Sequence, residues 1–320
     1  MSIALLFPGQ GSQSVGMGKA LAEAYPAARL VFDEVDDALS ERLSALIWQG
    51  PIDRLTLTEN VQPALMAVSL AALRALETET GFNVARDARF VAGHSLGEYS
   101  ALAAAGTFSI ADAARLLRIR GRAMQKAVPV GEGAMAALLG LDFAEASAVA
   151  AEAAKSSETP GEVCEAANDN GGGQVVVSGH KAAVERAVEI ATARGAKRAM
   201  MLPVSAPFHC ALMRPAADVM AQALEGVTIR QPTPPVVANV AAQAISDPAE
   251  IRHRLVEQVT GMVRWRECVA YMAQEGVTRF YEVGAGKVLS GLVKRIAAGA
   301  TATAVGTPDD IHAFGAARAA

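Results

Sequence analysis

The sequence has few cysteines and few aromatic residues, no excess of basic charge and no long hydrophobic run. Its three cysteines, Cys164, Cys210 and Cys268, lie far apart and form no CxxC pair, which indicates neither a disulfide framework nor a zinc site. The aromatic fraction of 5%, with abundant alanine, favours helices packed through small side chains over an all-β sandwich. We therefore expect no bound metal ion and no structural disulfide.

The charge balance and the apolar runs exclude further classes of protein. With 29 Lys and Arg against 33 Asp and Glu, the net charge of −4 leaves no basic field for nucleic acid. The opening residues lack the basic segment of a signal peptide, and no apolar stretch of about 18 residues is present to cross a bilayer. We predict a soluble cytoplasmic protein with neither a nucleic-acid nor a membrane partner. The 320 residues are enough for one large or two modest domains.

The order of short apolar runs and helical patterns predicts the α/β class. Ile3–Phe7 is too short for a helix and predicts a buried strand, and helical patterns follow over about 16–48 and 60–80. Phe90–Ala92 predicts a second strand, which leads through Gly93 into a long alanine-rich helix. This alternation of strand, tight turn and helix is typical of α/β proteins.

The segment 130–200 has a different pattern, which predicts an inserted subdomain. Strands and helices alternate there in the order β-α-β-β-α-β, which is the ferredoxin-like signature. Strands are predicted at about 134–139, 163–167, 174–178 and 197–202, and helices at about 142–155 and 180–193. We therefore predict a ferredoxin-like subdomain over 130–200 and a larger, discontinuous domain over 1–129 and 201–320.

The strongest local signal for chemistry is Gly93–Gly97, the sequence GHSLG between a predicted strand and a predicted helix. A G-x-S-x-G turn presents its serine at a strained corner, and the glycines two positions away let neighbouring backbone approach. Ser95 is therefore a candidate nucleophile. The free N–H of Leu96, at the start of the helix, is a candidate donor to an oxyanion. The alternative is a serine that only caps the helix beside two packing glycines.

A serine nucleophile needs a base, and the sequence has five histidines. His94 adjoins the serine, where neighbouring side chains diverge; His180 begins a helix, and His253 lies in a charged stretch. His209 ends a proline-braced apolar loop that is suited to hold one imidazole in place. His312 lies near the C-terminus, where an α/β-hydrolase places its base. The residues favour His209 and leave His312 open.

The predicted helix over about 110–127 carries several arginines. At about 100° per residue, Arg115, Arg118 and Arg122 fall on one side, which predicts a solvated face. Arg120 falls among leucines on the apolar side, where an unpaired charge costs several kcal/mol, so that it needs a partner. That partner is either a structural Asp or Glu, which the periodicity slightly favours, or a carboxylate of the substrate.

Two glycine-bearing segments are weaker signals. Phe7–Gln13 follows the first strand and is either an ordinary turn or a loop that offers a backbone N–H to an oxyanion. Gly284–Gly286 resembles half of a dinucleotide fingerprint, but Leu289 occupies the place of its third glycine. We therefore expect no nicotinamide cofactor.

Seven motifs, in order across almost the whole chain, together resemble one known family. They are FPGQGSQ (Phe7–Gln13), GHSLGEY (Gly93–Tyr99), RGRAMQ (Arg120–Gln125), Asn168 with the following NGGGQVVVSG, APFH (Ala206–His209), LVEQ (Leu255–Gln258) and EVGAGK (Glu282–Lys287). The chain resembles the malonyl-CoA:acyl-carrier-protein transacylases of bacterial fatty-acid synthesis, which are related to polyketide-synthase acyltransferase domains. The resemblance implies an α/β-hydrolase-like large domain with a ferredoxin-like insert.

The same resemblance implies a role for the central site residues. Ser95 is the nucleophile and His209 the base, which decides the choice against His312. Arg120 binds the free carboxylate of the malonyl group. The backbone N–H groups of Gln10 and Leu96 form the oxyanion hole.

Three further positions and the partners also follow from the resemblance. Gln258 matches a family glutamine near the histidine, where a main-chain carbonyl orients the imidazole. Asn168 matches an asparagine on the insert side of the cleft. Phe208 resembles malonyl-selecting members, whereas methylmalonyl-selecting relatives commonly carry serine there. The implied partners are acyl carrier protein and a coenzyme A thioester, with no cofactor, and we expect a monomer.

The sequence is also compatible with other functions. A polyketide-pathway acyltransferase shares the same motifs. A serine thioesterase or other hydrolase shares the serine turn, but it predicts a base near the C-terminus and gives a buried arginine no evident use. A catalytically inactive module that only binds acyl carrier protein is not supported, because both Ser95 and His209 are present.

Overall fold

The computed structural model describes residues 2–155, 161–204 and 206–319, and these contain ten β-strands and fifteen α-helices. The strands are β1 (Ser2–Phe7), β2 (Phe90–Gly93), β3 (Gly133–Leu139), β4 (Cys164–Asp169), β5 (Gln174–His180), β6 (Arg198–Met201), β7 (Val236–Val237), β8 (Ala244–Ile245), β9 (Val277–Val283) and β10 (Thr301–Val305). The helices are α1 (Lys19–Ala24), α2 (Pro26–Leu39), α3 (Leu43–Gln49), α4 (Ile52–Thr56), α5 (Thr58–Thr80), α6 (Val84–Asp87), α7 (Gly97–Ala104), α8 (Ile110–Ala127), α9 (Phe143–Lys155), α10 (Lys181–Ala193), α11 (Arg214–Glu225), α12 (Pro248–Thr260), α13 (Trp265–Gln274), α14 (Val288–Ile296) and α15 (Pro308–Ala319).

The larger sheet has six strands in the order β10-β9-β1-β2-β7-β8. The first five strands run parallel, and β8 pairs antiparallel with β7. Strand β1 lies inside the sheet and its residues Ala4–Phe7 are fully buried, as expected for a parallel strand with helices on both faces. Phe7 lies beside Gly93 in the register of β1 and β2. The loops that follow these two strands therefore meet at one edge of the sheet.

The helical pattern predicted over about 16–48 is interrupted in the structure. Pro26 begins α2 immediately after α1, because proline lacks the N–H that a continuing helix needs and is tolerated in a first turn. Ser40 has a φ of 51° and ends α2 in the left-handed region. The pattern predicted over 60–80 is the single helix α5, and the one predicted over 110–127 is α8.

The smaller sheet is antiparallel, with four strands in the order β4-β5-β3-β6. Its elements follow in the order β3-α9-β4-β5-α10-β6, as the segment 130–200 predicts. One face packs on α9 and α10 in a separate apolar cluster that includes Leu138 and Val177. The opposite face presents Met135 and Val176 to the main core. The smaller sheet therefore lies with that face against the larger part of the chain.

The predicted fold class is confirmed: an α/β-hydrolase-like part built on a mainly parallel sheet carries a ferredoxin-like insert. The predicted domain boundaries, 1–129 with 201–320 and 130–200, stay a prediction. Within the described residues, no helix is both long enough and apolar enough to span a membrane.

Candidate active site

The G-x-S-x-G turn joins β2 to α7 at the carboxyl end of the larger sheet. Ser95 has a φ of 54°, in the left-handed region that non-glycine residues seldom adopt. A Cβ on Gly93 would lie 1.9 Å from backbone atoms of Gly97, and a Cβ on Gly97 would lie 2.2 Å from the carbonyl oxygen of Phe7. Both positions therefore require glycine, and the close backbone packing holds the serine in its strained conformation.

The structure brings Ser95 together with His209. The Nε2 atom of His209 lies 2.7 Å from Ser95 Oγ, and its Nδ1 lies 2.9 Å from the carbonyl oxygen of Gln258 and 3.2 Å from that of Gly261. Because both carbonyls can only accept, Nδ1 carries the proton and Nε2 accepts from the serine hydroxyl. No carboxylate of the described residues bonds His209. The arrangement is a Ser–His dyad oriented by main-chain oxygens.

The surroundings of His209 keep its imidazole neutral. Burial, followed by the positive charge of Arg120, lowers the pKa of His209 to about 3, although the hydrogen bond to Gln258 acts in the opposite direction. A neutral imidazole at physiological pH is the form that can take a proton from serine. His312, the alternative base, is exposed on α15 and does not line the cavity that contains Ser95.

Arg120 is buried on α8, with an exposed fraction of 1%. Its Nη1 donates to Gln62 Oε1 at 2.8 Å, and its Nη2 donates to Gln258 Oε1 at 2.9 Å and to Ser95 Oγ at 3.2 Å. Among the described residues, no carboxylate lies within 4.0 Å of the guanidinium and Nε has no partner. The structural ion pair that periodicity favours is therefore wrong. A buried cation with neutral partners faces the nucleophile instead.

The solvated face predicted for α8 is correct at Arg115 and Arg122 but wrong at Arg118. Arg118 is buried, because α5 and the segment that follows α2 cover that side of the helix. Its guanidinium donates to Asn60 Oδ1 and, at 2.8 Å, to Glu41 Oε2. The neighbouring elements thus supply the partners that a buried arginine requires.

A cavity of about 340 Å³ opens on the dyad and is lined by residues of both the larger part of the chain and the smaller sheet. Ser95, His209 and Arg120 all line it, as do the predicted site residues Gln10, Leu96, Asn168 and Phe208. Met135, Val176, Leu202 and Val204 supply its apolar wall. Such a cavity, mostly apolar with a few convergent polar groups, suits a small acyl chain.

Two backbone N–H groups at this cavity are available to an oxygen atom. Among the described residues, neither the N–H of Gln10 nor that of Leu96 donates a hydrogen bond. Leu96 immediately precedes α7, so that its N–H belongs to the unpaired first turn of a helix. Gln10 lies in the loop after β1, which adjoins the serine turn through the pairing of Phe7 with Gly93.

The comparisons with known proteins agree with this geometry. A family model described as the acyl transferase domain matches residues 4–310 of the chain. The chain belongs to the acyl transferase family. The resemblance to malonyl-CoA:acyl-carrier-protein transacylases that the motifs predict is confirmed by the relatives of that name.

The chain is similar to individual members of the family over almost their whole length. The chain is 48% identical to proteins named malonyl CoA-acyl carrier protein transacylase from Bacillus subtilis and Escherichia coli, over 97% of this chain and 95% and 97% of theirs. A crystal structure of acyl-carrier-protein-S-malonyltransferase from Bartonella henselae superposes with a TM-score of 0.96 at 56% identity, covering 100% of both chains. A complex of a type II PKS acyl-carrier protein with its malonyl-transacylase matches with a TM-score of 0.92 at 44% identity, covering 98% of each chain.

Asn168 and Phe208 are both buried at the cavity wall of this acyl transferase. Asn168 lies on β4 beside a strand irregularity, where a bridge to Val263 ties the smaller sheet to the larger part. His94 lies next to the serine and also lines the cavity, but it bonds neither Ser95 nor His209: its Nε2 lies 2.9 Å from Asn170 Oδ1, and its ring centroid lies 5.5 Å from that of Trp265. His94 therefore links the serine turn to the insert.

Sequence reasoning missed the polar network beneath the serine. Asn239 Oδ1 accepts from the Ser95 N–H at 2.8 Å, and Asn239 Nδ2 donates to the Gly93 carbonyl at 2.8 Å. Glu98 Oε2 accepts from the backbone N–H of Asn239 at 2.9 Å and from Gln258 Nε2 at 3.0 Å. A signal for Glu98 was present, since it is the one charged residue of the apolar helix GEYSALAA. Asn239 follows the short strand β7, at the same sheet edge as the serine turn.

Glu98 also makes the stability of the protein depend on pH. Burial raises the pKa of Glu98 to about 7, although hydrogen bonds from Asn239 and Gln258 and the charge of Arg120 lower it. A carboxyl group whose pKa rises on folding stabilises the protein below its unfolded pKa and loses that contribution as the pH rises through the folded pKa. We therefore expect the unfolding free energy of Glu98→Gln, relative to wild type, to rise by about 3 kcal/mol between pH values of about 4 and 8. Urea unfolding of both proteins at both pH values measures the difference between their unfolding free energies, and the contributions of titrating groups that the two proteins share cancel in that difference. A difference that does not change with pH would contradict the expected role of Glu98.

Proposed function

We propose that this acyl transferase moves a malonyl group from malonyl-CoA to the phosphopantetheine thiol of acyl carrier protein through an acyl-serine intermediate. The observation that carries the proposal is the buried guanidinium of Arg120, which lacks a carboxylate partner and has Nη2 3.2 Å from Ser95 Oγ. A malonyl thioester brings a free carboxylate together with the carbonyl that serine attacks. The names of the similar proteins support the same substrate pair.

In the first half-reaction, the thioester carbonyl carbon is attacked by Ser95 Oγ, and the serine proton passes to His209 Nε2. The carbonyl oxygen becomes negatively charged, and the N–H groups of Gln10 and Leu96 stabilise it. The tetrahedral intermediate then collapses: the carbon–sulfur bond breaks, and the coenzyme A sulfur leaves with the proton from His209. The product is a malonyl ester of Ser95.

The second half-reaction reverses these steps with a different thiol. The phosphopantetheine thiol gives its proton to His209 and attacks the ester carbonyl, and the bond to Ser95 Oγ breaks as the serine regains its proton. One thioester is exchanged for another, so the reaction is readily reversible and needs no oxidant, reductant or cofactor. The carbonyl oxygens of Gln258 and Gly261 stabilise the imidazolium that forms transiently in each half.

Selectivity follows from Arg120 and Phe208. An acetyl group has no carboxylate, so its binding leaves the buried cation with neutral partners only. Phe208 occupies the cavity wall next to His209, where it limits the room for the branch of a methylmalonyl group. The proposed preference is malonyl over both acetyl and methylmalonyl.

We assign the enzyme to the supply of extender units for fatty-acid synthesis in the cytoplasm. The second candidate is a polyketide pathway, which the similarity to a transacylase in complex with a type II PKS carrier protein favours. Both candidates use the same chemistry and differ in the carrier protein. The two candidates are distinguished by offering the enzyme malonyl-CoA with a fatty-acid and a polyketide carrier protein in the same reaction and measuring which carrier is loaded faster.

The proposed reaction is tested with wild-type enzyme, malonyl-CoA and holo acyl carrier protein. We expect one malonyl-carrier thioester for each coenzyme A released, with acetyl-CoA and methylmalonyl-CoA giving far less product. Intact-mass spectrometry quantifies the loaded carrier, and a thiol reagent that reacts with coenzyme A quantifies its release. Release of coenzyme A without loaded carrier would favour a thioesterase and contradict the transfer.

A further inference from the structure

We propose that Glu98 is a positioning residue for malonyl selection, because its acceptor oxygen Oε2 fixes the amide of Gln258 and thereby the guanidinium of Arg120. The inference rests on the proposed function, since a malonyl carboxylate is the group that Arg120 is positioned to bind. Glu98 lies in the first turn of α7, three residues after the nucleophile, and does not line the cavity.

The side chain of Glu98 is almost completely buried, with an exposed fraction of 1%. A buried carboxyl group is costly unless hydrogen bonds satisfy it, so the groups that face it are part of its role. Two donors converge on one oxygen, Oε2: the backbone N–H of Asn239 at 2.9 Å and Gln258 Nε2 at 3.0 Å. One carboxylate oxygen thus joins the segment after β7 to helix α12.

The bond to Gln258 determines which end of that amide faces Arg120. A glutamine amide has two donors on nitrogen and an acceptor on oxygen. Gln258 Nε2 donates to Glu98 Oε2 and, at 3.0 Å, to the Ser95 carbonyl, so that Oε1 is directed to Arg120 Nη2 at 2.9 Å. The flipped amide would place its N–H groups against the guanidinium and its oxygen against Glu98. Glu98 therefore favours the single orientation that holds Arg120.

The bond from Asn239 acts mainly on the nucleophile, although Asn239 Oδ1 also accepts from Gln258 Nε2 at 3.4 Å. Asn239 bonds the N–H of Ser95 and the carbonyl of Gly93, and these backbone groups belong to the strained turn. Strain of this kind persists only where surrounding contacts hold it. Loss of the Asn239 bond is therefore expected to slow acylation by every thioester equally.

The two bonds can be separated by comparing substrates. Malonyl acylation uses both the serine and the guanidinium, whereas acetyl acylation uses the serine without a carboxylate–arginine contact. The ratio of the malonyl rate to the acetyl rate cancels the contribution of the serine turn. It isolates the path from Glu98 through Gln258 to Arg120.

The test measures the acylation of Ser95 by malonyl-CoA and by acetyl-CoA with rapid quenching and intact-mass spectrometry. For Glu98→Ala we expect the malonyl rate to fall about 100-fold and the acetyl rate about 10-fold, so that their ratio falls about 10-fold. The apparent KM for malonyl-CoA is expected to rise as well. Glu98→Gln retains an acceptor oxygen of the same shape and is expected to keep the ratio within about 3-fold of wild type.

Glu282 offers a matched control. It is also a fully buried glutamate that accepts two backbone bonds, from Leu289 at 3.0 Å and Ser290 at 2.7 Å, but it lies outside the cavity lining. Glu282→Ala is expected to lower the melting temperature and to leave the ratio unchanged. An unchanged ratio in folded Glu98→Ala, or an equal fall in Glu282→Ala, would overturn the inference.

A double-mutant cycle tests the path itself. If Glu98 acts through Gln258, then Glu98→Ala combined with Gln258→Leu lowers the ratio no further than Gln258→Leu alone. Additive effects would contradict the path.

If circular dichroism shows that Glu98→Ala is unfolded, Glu98→Leu, which has a side chain of similar volume and no acceptor, replaces it in the test. Failure of wild type to form a malonyl adduct would overturn the proposed function, whereas a normal wild type with an unaltered variant ratio overturns only this inference.

Discussion

Replacing Ser95 with alanine is expected to eliminate the malonyl adduct and to lower the rate of transfer to the carrier protein by a factor on the order of 10⁴ or more. His209 Nε2, which lies 2.7 Å from Ser95 Oγ, would face a methyl group and have no proton to accept. The cavity would still bind the thioester, because Arg120 and the apolar wall remain. Intact-mass spectrometry after a brief incubation with malonyl-CoA measures the adduct directly.

The variant is expected to fold normally, since alanine and serine have similar difficulty in adopting the φ of 54° at this turn. Ser100→Ala is the matched control: Ser100 lies on α7, the helix that follows the serine turn, is fully buried and does not line the cavity. That control should form the adduct at the wild-type rate. A malonyl adduct on Ser95→Ala would mean that another residue is the nucleophile.

The serine turn could be predicted from the sequence because its constraints are local. Gly93 and Gly97 must be glycine because a Cβ atom at either position would collide with backbone atoms that lie a few residues away or at the end of the adjacent strand. The ferredoxin-like insert was predictable for a similar reason, since the alternation of its strands and helices is itself a sequence pattern. The helical pattern predicted over about 16–48 is divided into three helices, because Pro26 begins a new helix and Ser40 ends it in the left-handed region.

The base and the arginine partners could not be derived from periodicity alone. His209 is joined to Ser95 across 114 residues, and the carbonyl that orients it lies 49 residues further along the chain. Helical periodicity placed Arg120 on the buried side of α8 correctly. It had no means of showing that α5 also covers Arg118, or that glutamines instead of carboxylates surround Arg120.

The bonds that join Glu98, Asn239 and Gln258 were hidden for the same physical reason. Gln258 was predicted as a site residue, and Glu98 is the one charged residue of its helix, but the three members come from α7, the segment after β7, and α12, and no single element shows that they bond one another. Only the packing of these elements at one sheet edge makes them a unit. Buried polar groups whose partners come from distant segments are therefore the part of this site that requires the structure.

Replacing Arg120 with alanine is expected to reduce the preference for malonyl-CoA over acetyl-CoA by roughly 10²- to 10³-fold. The malonyl carboxylate would lose its buried cation and enter a cavity with no compensating charge, so malonyl acylation slows. Acetyl acylation is affected much less, because the acetyl group never used the cation. Rates of adduct formation with each thioester, measured separately by intact mass, give the preference.

Arg122→Ala separates this effect from a general loss of positive charge on α8. Arg122 lies two residues further along the same helix, is exposed, and pairs with Glu59 at 2.8 Å. Exposed ion pairs contribute little, so this control should retain both the stability and the substrate preference of wild type. If Arg120→Ala kept the full preference for malonyl-CoA, a guanidinium–carboxylate contact could not be the basis of selection. The burial of Arg120 beside the nucleophile, without a carboxylate partner, would then destabilise the fold for no evident purpose. If the Arg120→Ala enzyme instead loses its preference for malonyl-CoA, the buried cation is the group by which the cavity selects an acyl group that carries a carboxylate.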